Sequence, residues 1–189
     1  MPSKNFQVWQ YDLYGPLTPK GPDGSCYIFT AIDLHSKYLV ACPIANKDAT
    51  TVAEAIFSKL ICQFGTCDTL LCDCGAENIS NVTREICRLL QIPQEFSPPF
   101  VHKCLGGVER SHLTLAQKLT PYVGPRGRNW QNVLPAIVFA INNSVNSSNG
   151  YSPHEIVFGE RPMFPLSPPK LDTNFYNIPV LAAAWLIFF

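Results

Sequence analysis

The first 44 residues set the strongest limit on the fold. They hold three short apolar runs, 6–13 (FQVWQYDL), 26–33 (CYIFTAID) and 38–44 (YLVACPI), and the last two are separated by only four residues. Runs of this length, rich in aromatic and β-branched residues, read as strands, and the close pair reads as a hairpin. The period then changes. From Asp48, a suitable N-cap, Val52, Ala55, Ile56, the stem of Lys59 and Leu60 recur at helical spacing, predicting a helix over 49–63 that Gly65 stops. A short apolar strand follows over 68–72, then a helix over 78–90 with Val82, Ile86, Leu89 and Leu90 on one face. Residues 92–96 suggest another short strand before Pro98 and Pro99. A third helical stripe comprises Leu105, Val108, His112, Leu115, Leu119 and Tyr122. A fourth helix is expected over 129–146, with Trp130, Val133, Leu134, Ile137, Val138 and Ile141 inward. Strands first, then helices alternating with strands, predict an α/β domain with a mixed sheet flanked by helices. Pro43 fits such a sheet only at a strand end or on an edge strand.

Composition removes several classes. With 47% hydrophobic residues in 189, wholesale disorder is excluded. No apolar run reaches the roughly 18 residues of a membrane span, so no membrane partner is expected. Net charge is zero and argues neither for nor against a partner. The opening MPSKNFQVWQYD has no secretory h-region, so an intracellular chain with reduced thiols is expected. The sequons at Asn78, Asn81, Asn142 and Asn146 then read as chance matches. Cys62, Cys67, Cys72 and Cys74 lack the spacing of paired zinc ligands and read as buried free thiols.

Among fourteen acidic residues, position selects three. Asp12 falls near the end of the first strand, Asp73 ends the strand after the first helix, and Glu109 opens the third helix after Leu105-Gly106-Gly107. Sites in α/β sheets are built at strand ends. Three converging carboxylates suit hard divalent cations, and two such ions can activate the attacking oxygen and stabilise the leaving one in phosphoryl transfer. An isolated acid at a strand end is more often a turn or cap residue, so spacing has to decide. Between Asp73 and Glu109 lie 35 residues.

That spacing accompanies five segments in order: WQYDLYGPL (9–17), TAIDLHSKYLVACPI (30–44), LLCDCGAEN (70–78), GGVERSHLTL (106–115) and GYSPHEIVFGERP (150–162). Together they resemble the catalytic core of retroviral and gypsy-type LTR-retrotransposon integrases over roughly residues 6–165. The resemblance implies an RNase H-like fold with a five-stranded mixed sheet. It also implies a D,D-35-E triad of Asp12, Asp73 and Glu109 as catalytic and metal-binding residues, with Mg²⁺ or Mn²⁺, two ions, as cofactor. The implied chemistry is 3′-end processing and strand transfer of element DNA into target DNA. The implied assembly is a homo-oligomer, at least a dimer, acting in the nucleus. Three departures stand out: Asn78 follows Glu77 where an aromatic is usual, Leu113 takes the place of a common Arg, and the loop at 102–107 is one residue short.

Segment 102–128 carries Lys103, Arg110, Lys118, Arg126 and Arg128 against Glu109 alone. Such a concentration suits phosphate binding, although a solvated helix face gives the same pattern. Lys103, Arg110, His112 and Lys118 are therefore the DNA-contact candidates; His112 lies on the apolar stripe, where packing competes with contact. Residues 1–164 are expected to form the core, and 165–189 a Pro-rich linker with an unassigned apolar tail (IPVLAAAWLIFF, 178–189). Two other readings remain open at this stage: a catalytically silent, domesticated nucleic-acid-binding or interaction module, and a related RNase H-type or transposase hydrolase.

Overall fold

The computed structural model describes residues 2–72, 76–90, 100–102, 114–115, 117–120, 130–146 and 150–162. Strands β1 (Val8–Tyr14), β2 (Tyr27–Asp33) and β3 (Leu39–Ile44) are followed by α1 (Ala49–Ile56), a π-helical turn (Phe57–Ile61) and α2 (Cys62–Phe64). Then come β4 (Thr69–Cys72), α3 (Ala76–Leu90), β5 (Phe100–His102), α4 (Trp130–Asn143) and α5 (Pro153–Phe158). Residues 114–115 and 117–119 are also helical. The sheet has five strands in the order β3-β2-β1-β4-β5. It is mixed, because β1 runs antiparallel to β2 but parallel to β4. The architecture is α/β, a mixed sheet flanked by helices, as the order of strands and helices in the sequence predicts.

Strands β1 to β3 are covered on both faces, so most of their side chains are apolar on either side. Trp9, Tyr11, Phe29, Ala31, Val40 and Cys42 look toward α1 and α3, where Val52, Ala53, Ile56, Val82 and Ile86 complete a first core. On the opposite face Ile28 packs with Leu115, Leu119, Trp130, Val133, Leu134 and Ile137, and Tyr14 and Ala41 lie against this second core. Strand alternation sorts the side chains: odd positions of β1 enter the first core and even positions look toward the second.

Local signals explain the elements. The side chain of Asp48 accepts the Thr51 amide at 2.8 Å and caps α1, as its sequence position predicts. Gly65 ends the helical run at φ +85, a conformation an L side chain rarely adopts. The expected single helix over 49–63 is instead interrupted by the π turn, which no residue in Phe57–Ile61 announces. Pro43 lies on β3, an edge strand, where its missing N–H costs no ladder bond. The hairpin turn is held by Asp33, whose buried carboxylate accepts Phe6 N (3.0 Å), Ser36 N (2.8 Å) and Ser36 Oγ (2.5 Å).

Three expectations need correction. First, β1 does not end at Asp12 but continues to Tyr14, because Leu13 and Tyr14 still pair with Phe29 and Ile28. Second, the fifth strand is Phe100–His102, beyond the proline pair, where it pairs with β4; 92–96 lies outside the described residues. Third, Cys62 is an exposed thiol rather than a buried one, because it sits at the solvent side of the helix end, whereas Cys72 is buried. Burial raises the thiol of Cys67 to about 11, so it stays protonated at neutral pH. Cys74 lies outside the described residues.

The helix α5 was not foreseen within the GYSPHEIVFGERP segment. Its capping box is complete: Ser152 Oγ accepts Glu155 N at 3.2 Å, and Ser152 N donates to Glu155 Oε2 at 2.9 Å. Arg161 Nε donates to Glu155 Oε1 at 2.7 Å. This bond, with the Ser152 bonds behind it, pulls the Glu155 carboxyl from its ordinary 4.5 to about 2. A depressed carboxylate stabilises the fold above its unfolded value and loses that contribution as pH falls from about 4.5 toward 2. Glu155→Gln should therefore show a smaller drop in denaturation midpoint than the native chain between pH 5.5 and pH 3. Equal drops would mean that the pair contributes nothing to stability.

Candidate metal-dependent active site

Most acids in the described chain have structural tasks. Asp33 ties the hairpin, Asp48 caps α1, Asp68 accepts Gln7 Nε2 at 3.0 Å, and Glu85 pairs with Arg88 at 2.7 Å. Asp23 accepts the Ser25 amide at 2.8 Å, and that bond first of all holds its carboxyl below the ordinary range; Gln131 Nε2 also donates to it. Asp12 differs. It stands on the central strand, half-buried, two residues before β1 ends.

Pairing with β2 and a bond to the next amide fix Asp12. Its backbone pairs with Thr30, and Thr30 Oγ1 donates to the Asp12 carbonyl at 3.0 Å. Its carboxylate Oδ1 accepts the Leu13 amide at 2.7 Å. By alternation Asp12 shares a face with Tyr14, which packs against the second core, while Tyr11 and Leu13 belong to the first. The segment that carries Leu115 and Leu119, six and ten residues after Glu109 in the chain, packs over this same face. Just beyond Tyr14 the chain turns at Gly15, φ +135, where a Cβ would lie 2.7 Å from the Cys26 carbonyl. Only glycine fits this turn at the exit of the strand that bears Asp12.

Of the other expected site residues, Lys118 is described and lies half-buried beside Leu119. Asp73, Glu109, Lys103, Arg110 and His112 lie outside the described residues. Among the described residues no group of three His, Cys, Asp or Glu side chains could hold a metal ion. No helix among them is long and apolar enough to cross a membrane.

Two polar residues escaped the sequence reading. Asn142, seen there only as a sequon, is 4% exposed, and its amide holds both main-chain groups of Leu39, each at 2.8 Å. Gln10 is 6% exposed and lies on the Asp12 face of β1. A glutamine two residues before Asp12, at the same parity of the central strand, was the available signal for it.

Comparison with known proteins adds the following. Residues 2–101 match the family described as "Integrase core domain". The chain is 36% identical over 179 residues to a retrovirus-related Pol polyprotein from transposon 412 of Drosophila melanogaster, covering 94% of this chain and 14% of that protein. It is 26% identical over 158 residues to the Pro-Pol polyprotein of simian foamy virus type 3, covering 84% of this chain and again 14% of the relative. The chain thus spans a small part of these polyproteins. Its fold is similar to that of the HTLV-2 integrase catalytic core domain in a trimeric complex with magnesium. There the TM-score is 0.59 at 17% identity, covering 80% of this chain and 95% of that one.

Proposed function

Because the chain belongs to the integrase core domain family, found in Pol polyproteins of retroviruses and retrotransposons, we propose that it is the catalytic core of a retroelement integrase. In this reading it performs divalent-metal-dependent 3′-end processing and strand transfer through Asp12, Asp73 and Glu109. The observation that carries the reading is the placement of Asp12: a half-buried carboxylate on the central strand, on the face covered by the helical segment that follows Glu109 in sequence.

The donor set is all carboxylate, which suits Mg²⁺ or Mn²⁺ and disfavours softer metals. A magnesium complex of a protein of similar fold points the same way. Two ions, when bound, would supply Lewis acidity to the phosphate and lower the pKa of the attacking water or hydroxyl. The chain's own part is positional. The paired backbone of β1 holds the Asp12 carboxylate in place, so little reorganisation accompanies the reaction. Lys103, Arg110, His112 and Lys118 would bind phosphates of the element ends and of target DNA, fixing register without reading sequence. A homo-oligomer, at least a dimer, would bring two ends together. Residues 1–164 form the core in this reading and 165–189 a linker with its tail.

The test is a Mn²⁺- or Mg²⁺-dependent one-site reaction on preformed branched DNA with the purified chain. Release of the strand-transfer half is the expected outcome. Metal-independent DNA binding without any product would favour the silent-module reading instead. Position 113 provides a separate check. Leu113→Arg should tighten DNA binding and steepen the slope of log affinity against log salt by about 0.9, the value for one additional phosphate contact on duplex DNA. An unchanged slope would place position 113 away from the nucleic acid.

A further inference from the structure

Gln10 is poorly suited to its position as a core residue. It sits on the central strand, paired with Ile32 of β2 and Leu71 of β4, and is 94% buried. Glutamine is seldom buried to this degree, and a buried polar atom costs stability unless it is hydrogen-bonded. Among the described residues its Oε1 has no hydrogen-bond donor. An apolar residue would fill the same volume without that cost. The location supplies the reason for retaining an amide. Gln10 and Asp12 are two residues apart on one strand, so their side chains leave the same face about 7 Å apart.

We propose that Gln10 is a positioning residue of the metal site. Its carboxamide oxygen accepts a hydrogen bond from a water in the hydration shell of the divalent ion that Asp12 ligates. The inference rests on the function proposed above. Mg²⁺ dehydrates reluctantly and keeps several of its waters when bound by one or two carboxylates. An ion held by Asp12 would therefore present waters toward the neighbouring side chain on the same strand face. The orphaned oxygen and the hydrated ion thus satisfy each other. The buried atom gains its donor, and the ion gains an outer partner that orients its shell.

The test is Mg²⁺ titration of the full 189-residue chain by calorimetry, with thermal denaturation of the metal-free form alongside. Gln10→Leu should weaken Mg²⁺ half-saturation roughly 10- to 100-fold, the usual effect of losing an outer-shell partner. The metal-free melting temperature should stay level or rise, because an unpaired buried oxygen is removed. Gln10→Met, closer in shape, should do the same if Gln10→Leu packs poorly. Gln10→Glu keeps an oxygen acceptor in place and adds a negative charge that attracts the cation, so it should bind Mg²⁺ at least as tightly as the native chain. Native-like half-saturation in both apolar variants, with binding lost in Asp12→Asn, would overturn the role of Gln10 and leave the metal site standing. Unchanged binding in Asp12→Asn would overturn the site itself, and the role of Gln10 with it.

Discussion

Asp12→Asn is expected to reduce metal-dependent strand transfer by on the order of 10³-fold while leaving the chain folded. The asparagine is isosteric, so the pairing of β1 with Thr30 and the bond from Thr30 Oγ1 to the backbone carbonyl persist. Only the charge disappears, and with it one anionic ligand of the proposed two-ion site. Asp73→Asn and Glu109→Gln should match it, because removing any one ligand disables the clamp that both the attacking and the leaving oxygen require. In the proposed site three carboxylates would repel one another, so the metal-free form of each variant should melt no lower than the native chain. Single-turnover assays on branched DNA in Mn²⁺, with circular dichroism for folding, provide the measurement. A variant that keeps near-native rates removes its residue from the ligand set.

Asn142→Leu should cost the fold about 2–5 kcal/mol, the sum for two buried main-chain groups left without partners. Strand β3 is the sheet edge, and its outward-facing groups at Leu39 would otherwise need another strand or water. The Asn142 amide supplies both partners: Oδ1 accepts Leu39 N and Nδ2 donates to Leu39 O. It also bonds the Tyr38 side chain, although burial, the larger influence, still raises that phenol above its ordinary value. Asn142→Asp should be no milder, since it loses the donor and buries a charge. For a chain of this size the loss corresponds to a melting temperature lower by about 5–15 °C. A change under 1 °C would show that the edge is held by other contacts.

The contrast between these two residues shows what a sequence displays and what it hides. Asp12 is legible because its neighbours carry local information: an apolar strand, a turn of Gly15 and Pro16, and the W-x-x-D-x-x-G-P-L pattern around it. The three N-terminal strands and the faces of α1, α3 and α4 are legible for the same reason, since burial imposes period 2 or 3.6 on residue type. Asn142 is not, because its partner lies 103 residues away and nothing local marks it. The π turn at Phe57–Ile61 is silent because any helix-forming stretch can accommodate it. The α5 cap was legible after all: Ser152-Pro153-His154-Glu155 is a capping box with proline at the first turn. The strand at Phe100–His102 is misplaced by a local reading, since three residues have too little pattern to outweigh the prolines before them.

The two cores differ in when the ribosome delivers their parts. The first draws its buried residues from Trp9 to Ile86, so a nascent chain of about ninety residues already holds everything that covers that side. The second needs Leu115, Leu119 and the α4 residues from Trp130 to Ile137. Until these emerge, Ile28, Tyr14 and the face bearing Gln10 and Asp12 remain bare. The carboxylate side of the sheet is therefore the last to be enclosed during synthesis. A chain stalled near residue 100 would carry an ordered back and a sticky front, a natural substrate for chaperones. In the full chain, early acquisition of one side gives α4 a preformed surface on which to dock.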